Sequence, residues 1–288
     1  MGKLTVACIQ LNAGADVERN LALATESVRE AATQGARLIA LPEYCVLLDG
    51  SGRVMREHSP PESEHAGLAL FQALAQELQA WLLLGSLTVK LDDARMANRS
   101  YLLSDTGEIV ARYDKIHMFD ATLPGNKVIR ESSAYRPGDK AVLAATPWGA
   151  LGMTVCYDLR FPQLYRALAQ AGAVMLAVPS SFQRETGPAH WHTLLRTRAI
   201  ENAAWVIAPA MCGDHPNGRS TYGHSLIIDP WGRIVAELED EPGVLLAEVD
   251  PEQVAKTRAM LPSLSHDRAF ELERFELRAG TAGPAGNQ

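Results

Sequence analysis

This sequence is poor in the features that place a protein outside ordinary cytosolic chemistry. It has four cysteines (Cys8, Cys45, Cys156 and Cys212), scattered and without a C-x-x-C pair, which argues against a disulfide framework. Basic residues do not dominate: 27 Lys+Arg stand against 34 Asp+Glu, a net charge of −7, so neither nucleic acid nor an anionic membrane is expected as a partner. The longest uncharged runs, 141–157 and 167–183, are interrupted by Pro147, Gly149, Gly172 and Pro179, which excludes a membrane span there. The N-terminus alternates like a strand and lacks a basic region ahead of a long apolar one. Val6 stands where a myristoylation signal needs Ser or Thr. The expectation is a reducing, cytoplasmic protein acting on a small molecule.

What is present has the rhythm of an α/β chain. Strands are expected at 4–10, 37–41, 81–89, 98–104 and 108–113, then at 141–145, 151–155, 174–178, 204–208, 223–228, 233–237 and 244–249. Helices are expected over about 16–33, 64–80 and 187–202, with another after Cys156. Residues 49–64, 119–140 and 211–222 read as loops, the first two long enough to serve a binding site. With no repeat and no linker, residues 1–278 form a single domain, and 279–288 are expected to be a disordered tail.

Three reactive side chains fall at the carboxyl ends of strands far apart in sequence. Glu43 follows Pro42 after the second strand, Lys115 follows the strand 108–113, and Cys156 follows the apolar run 151–155. Such ends converge on one rim of an α/β sheet. Alone, each has a plainer reading: a solvated loop glutamate, a surface lysine, a small buried cysteine. Together they make a chemical set of base, cation and nucleophile. A turn into a helix at Cys156 would add positive potential and favour thiolate.

Other motifs carry less. Gly50-Ser51-Gly52 lacks the third glycine and preceding strand of a dinucleotide site, so no cofactor is expected. Asn98-Arg99-Ser100 is a formal glycosylation sequon without a secretory context. Cys212, His215 and His224 lack paired metal spacing, and His190 and His192, two residues apart, face different sides of a helix, so no metal is expected either.

The segments LIALPEY, RYDKIHMFD and LGMTVCYDLRFPQLYRALAQAGA, in that order, resemble the signature blocks of the nitrilase superfamily of carbon–nitrogen hydrolases. CYDLRFP, PSSF with TGPAHW, CGDH and YGHS before DPWG are most similar to its Nit branch, and within that branch to the subfamily acting on deaminated glutathione. The resemblance implies an α-β-β-α sandwich, usually a homodimer. It implies Glu43 as general base, Lys115 as cationic stabiliser, Cys156 as nucleophile, and Glu131 of ESSAYRPG as the second glutamate. The implied reaction is hydrolysis of the terminal amide of a small 2-oxo acid amide, through a Cys thioester, to carboxylate and ammonia. Deaminated glutathione leads as substrate, with 2-oxoglutaramate or 2-oxosuccinamate, a nitrile, or a non-catalytic scaffold as alternatives. Substrate contacts are expected from Tyr157, Arg160, Phe182, Thr186 and His190, which lie beside the nucleophile, an arginine there being able to pair with a substrate carboxylate. Arg160 could instead pair with Asp158 or a neighbouring subunit. The C-terminal run LPSLSHDRAFELERF departs from the family's usual ending.

Overall fold

In the computed structural model, which describes residues 2–92 and 95–275, the chain builds two six-stranded sheets, the first from the N-terminal half joined by the last strand of the chain and the second from the strands between. The first half runs β1 (Leu4–Gln10), α1 (Val17–Thr33), β2 (Leu38–Ala40), α2 (Gly52–Glu57), α3 (Ala66–Leu78), β3 (Trp81–Lys90), β4 (Met96–Leu103) and β5 (Ile109–Asp114). A small hairpin follows, β6 (Asp120–Leu123) with β7 (Lys127–Arg130). The second half runs β8 (Val142–Thr146), β9 (Gly149–Met153), α4 (Pro162–Gln170), β10 (Ala173–Ala177), α5 (Gly187–Asn202) and β11 (Trp205–Ala208). It continues with the hairpin β12 (Cys212–His215) and β13 (Arg219–Tyr222), then β14 (Leu226–Ile228), β15 (Ile234–Glu237), β16 (Gly243–Val249) and α6 (Glu252–Met260).

The first sheet has the order β16-β1-β2-β3-β4-β5 and the second β15-β14-β11-β10-β9-β8. Strand alternation assigns their faces. Val6 and Cys8 of β1 pack with Met153, Met175 and Ala177 of the second sheet, whereas Ala7 and Ile9 pack with Ala24 and Val28 of α1. On the far side, Leu176 joins Leu168 of α4 and Leu195 of α5. The result is the expected α-β-β-α sandwich, and burial on both faces explains why its central strands read as continuous apolar runs.

Several boundaries depart from the sequence expectation. Residues 49–64 contain α2 and a 3-10 turn, 119–140 contain the β6–β7 hairpin, and 211–222 form the β12–β13 hairpin. These elements are short and polar, so their periodicity is too brief to register. α6 carries no strong signal either. The helix expected at Cys156 begins only at Pro162, with a 3-10 turn, Cys156–Arg160, between strand and helix. The boundary at 278 and the tail 279–288 lie outside the described residues. Among the described residues, no helix is long and apolar enough to cross a membrane.

One glycine fixes the geometry beneath the site. A Cβ at Gly85 would lie 2.1 Å from the Leu41 carbonyl oxygen and 2.4 Å from the Pro42 carbonyl carbon. β3 can therefore pass directly under the end of β2 that presents Glu43.

Candidate active site

Glu43, Lys115, Glu131 and Cys156 all line one cavity of about 310 Å3 at the strand ends. Glu43 and Lys115 are almost wholly buried (1% and 2% exposed). The lysine Nζ donates to Glu43 Oε1 at 3.0 Å and to both Glu131 oxygens, at 3.0 Å and 2.9 Å. Asn98, at zero exposure, sits among the acids. Its Nδ2 donates to Glu43 Oε1 (2.8 Å), to the Tyr44 hydroxyl oxygen (2.9 Å) and to Glu131 Oε1 (3.2 Å). The Ser181 N–H donates to Glu43 Oε2 at 2.9 Å, the Phe119 N–H to Glu131 Oε2 at 2.6 Å, and the Tyr44 hydroxyl to Glu131 Oε1 at 3.1 Å. Buried charges persist only when paired and hydrogen-bonded in this way.

The electrostatics assign protonation states. Burial pushes the proton affinity of Glu43 up, but Lys115, Arg219 and the Asn98 hydrogen bond outweigh it, holding the carboxyl below its ordinary range. For Lys115, burial works against the charge, and Glu131, Glu43 and Cys156 more than reverse it, so the ammonium is held firmly. Burial first, and then the charge of Glu43, pushes the Cys156 thiol well up. This corrects the expectation of a helix-stabilised thiolate. The 3-10 turn is short, the half-buried residue packs against apolar neighbours, and its nearest charged neighbours include a carboxylate.

Cys156 itself has φ +49°, and Tyr44, next to Glu43, has φ +61°. Left-handed backbone at non-glycine residues costs energy and is tolerated where surrounding contacts fix it. At Cys156 those contacts are identifiable. The Cys156 N–H donates to Pro179 O at 2.9 Å. Asp158, fully buried, accepts from the Val155 N–H (2.9 Å), the Tyr113 hydroxyl (2.7 Å) and the His117 N–H (3.0 Å). Asp158 thereby ties the nucleophile turn to both flanks of Lys115. Behind it, Arg198 of α5 donates twice to Leu159 O.

Tyr157, Arg160, Phe182 and Thr186 line the cavity, but His190 is not among the residues that do. It stands one turn into α5, its Nδ1 3.2 Å from Arg160 Nη2. Arg160 does not pair with Asp158. Its guanidinium lies over the rings of Tyr157 (5.8 Å) and Phe182 (5.6 Å). Sequence reading missed Asn98, Tyr44, Ser181 and Arg219. Asn98 stood out only as a sequon, which its complete burial in the site makes irrelevant. Arg219 of β13 donates through Nη2 to Ser181 Oγ at 2.8 Å and lies over Tyr44 at 5.5 Å. Its buried Nε has no partner among the described residues, and the residue lines the cavity. Both long segments reach the rim, 49–55 on one side and 128–130 on another.

The four-layered sandwich with a buried Glu–Lys pair and a half-buried cysteine at its strand ends defines a hydrolase of the nitrilase fold. The family model described as carbon–nitrogen hydrolase matches residues 5–259, and the chain belongs to that family. It is 40% identical over 268 residues to deaminated glutathione amidase of Bos taurus, covering 91% of this chain and 81% of that one. The solved structure of the C. elegans NitFhit protein superposes with a TM-score of 0.87 at 34% identity, covering 93% of this chain and 66% of that longer one. An amidase from Nesterenkonia sp., 26% identical with a TM-score of 0.76 and covering 90% of this chain and 98% of that one, was solved as a Glu-to-Gln variant. It carries acrylamide joined by Michael addition to its active-site cysteine.

Proposed function

We propose that this hydrolase is an amidase in which Cys156 forms a thioester with the acyl part of a 2-oxo acid amide, deaminated glutathione foremost. The observation that carries the reading is the joint placement of Glu43, Lys115 and Cys156 in one largely buried cavity. Because the thiol holds its proton tightly, attack is coupled to transfer of that proton to Glu43. The sulfur bonds to the amide carbon while Lys115 and the Tyr157 N–H take the oxyanion charge, each such donor contributing about 3 kcal/mol to the barrier reduction. Glu43 then passes its proton to the leaving amine and afterwards deprotonates the water that cleaves the thioester. Glu131 positions Lys115 through both its oxygens.

The leaving group depends on the substrate. Ammonia departs from 2-oxoglutaramate or 2-oxosuccinamate. Deaminated glutathione is a 2-oxoglutaryl group amide-linked to cysteinylglycine, so there the dipeptide amine departs, and the expectation of ammonia is corrected for that substrate. Its two carboxylates fit a cavity with Arg160 on one wall and Arg219 on another, whereas 2-oxoglutaramate has only one. A panel of these three amides tests the choice. Deaminated glutathione is expected to lead in kcat/KM by about tenfold or more, the equivalent of one additional 1.4 kcal/mol contact. A lead for 2-oxoglutaramate would make the protein an ω-amidase instead.

Arg219→Gln tests the carboxylate contact. A charged hydrogen bond is worth about 1.5–3 kcal/mol, so kcat/KM for deaminated glutathione should fall about 10- to 100-fold. Because Arg219 also holds the Glu43 carboxyl down, its loss raises that pKa, and the acid limb of the pH profile moves to higher pH. Unchanged KM and an unmoved acid limb would remove Arg219 from the scheme.

Glu43→Gln should block acylation. The readout must be the acyl adduct with an amide substrate by intact mass, since the glutamine variant of the Nesterenkonia amidase still has acrylamide on its cysteine. A normal acyl adduct in Glu43→Gln would mean that the base has been misassigned.

The proposal extends to a cytoplasmic homodimer with no nucleic-acid or membrane partner. Phe270, Leu272 and Phe275, beyond α6, are largely exposed in the single chain, an apolar surface that a second copy would cover.

A further inference from the structure

Away from the cavity, three side chains that the reaction does not use meet at the surface: His192 of α5, His224 ahead of β14, and Glu237 at the end of β15. Glu237 Oε1 lies 2.7 Å from His192 Nε2 and 3.1 Å from His224 Nδ1. All three ligand atoms fall within 4.8 Å of one another. Their side chains are 29%, 21% and 34% exposed for His192, His224 and Glu237, open enough for an ion to enter and closed enough to hold it.

We propose that His192, His224 and Glu237 form a binding site for a divalent transition-metal ion of the zinc class, with water in the remaining position. Two imidazoles and one carboxylate are a donor set suited to zinc, nickel or copper. Metal–ligand bonds of about 2.0–2.2 Å in a tetrahedron put the ligand atoms about 3.3–3.5 Å apart. The two hydrogen-bonded spacings therefore need to open by only a fraction of an ångström. Both rings bind as neutral imidazoles. The ligating nitrogens, His192 Nε2 and His224 Nδ1, give up their protons, and the other ring nitrogens carry them, so tautomer exchange suffices wherever the rings start neutral.

The site is held before any ion arrives. His224 has φ +56°, and its ring stacks on Tyr222 at 4.2 Å. Its N–H donates to Glu239 O, and its carbonyl accepts from Trp191 Nε1 at 2.7 Å. The nearby positive group on α5, Arg196, is turned to the Gly232 carbonyl. The ligands come from three separate elements, which is why motif spacing in the sequence excluded a metal. Of the three residues considered there, His224 is a ligand here, whereas Cys212 and His215 are buried and engaged elsewhere, with Leu11 O and with Ala13 O. A bound ion would fasten α5 to the β14–β15 edge, one ring away from the α5 N-terminus, where a Cβ at Gly187 would fall 2.1 Å from the Tyr222 ring.

The test uses the full chain with Cys156→Ala, so that the active-site thiol does not compete. Cobalt titration should give a saturable single equivalent with visible d–d bands and no thiolate charge-transfer band, displaced by zinc. Zinc should raise the melting temperature of this protein. Both effects should vanish in His192→Ala and in Glu237→Gln, the latter keeping an oxygen to accept both ring hydrogen bonds while removing the anionic ligand. Absence of saturable cobalt or zinc binding in the submillimolar range, or binding that survives both substitutions, would overturn the site.

Discussion

Cys156→Ala is expected to lower kcat on the order of 10^6-fold, the loss seen when a hydrolase is deprived of its nucleophile, with the fold intact. Substitution for a small residue at a partly buried turn already held by Pro179 O and Asp158 should change stability by no more than about 1 kcal/mol. Cys156→Ser should fare little better. Glu43 is held below the ordinary carboxyl range, so it is a weak base, sufficient for a thiol only because the proton moves as the carbon–sulfur bond forms. A hydroxyl is a far weaker acid and gains less from the same carboxylate. Product formation followed by chromatography, with intact mass to look for the acyl adduct, measures both variants. Cys156→Ala that still converts substrate within a hundredfold of the parent would sink the covalent scheme.

The architecture was legible because its core strands are buried on both faces. Runs such as 81–89 and 174–178 carry that signal, and Glu43, Lys115 and Cys156 could be placed at strand ends because the strands were placed. What depends on side-chain direction was not legible. Asn98 points from the middle of β4 into the acids, and nothing in its spacing distinguishes it from an exposed strand residue. Arg219 lies on a four-residue strand inside what reads as a polar loop, and its proximity to Glu43 exists only after the second sheet is docked on the first. The surroundings of Cys156 were only partly legible for a related reason: turn chemistry is local, but the carboxylate beside the thiol, Glu43, comes from more than a hundred positions away.

The arrangement also explains why the set tolerates so much buried charge. Two carboxylates share one ammonium and one amide Nδ2, and each has a further backbone N–H, from Ser181 or Phe119. Lys115, which balances Glu43, is also the cation that would balance an oxyanion. Catalytic and structural roles thus fall together on the Lys115 ammonium, and removing it should show in both activity and stability.

Lys115→Met isolates that coupling. Without the ammonium, Glu43 and Glu131 face one another across Asn98 with no cation in contact, and breaking a buried pair in this way costs about 3–5 kcal/mol. Activity should fall on the order of 10^3-fold or more, because an oxyanion donor is lost and because Glu43 tends to acquire a proton and cease to be a base. The sign of the pH dependence follows. In the parent, the depressed carboxyl of Glu43 contributes stability above the unfolded value of about 4.3, lost as pH falls through the folded value. In the variant, burial, no longer opposed by Lys115, raises the folded value above 4.3, so Glu43 instead destabilises increasingly as pH rises past the unfolded value. The stability gap between the two proteins should therefore be small near pH 4 and wide near pH 8. Urea denaturation of both at the two pH values, with circular dichroism to confirm that the variant is folded, measures it. A gap that does not widen with pH, or a folded variant retaining kcat within tenfold, would show that Lys115 is neither the counter-charge nor the stabiliser assigned to it.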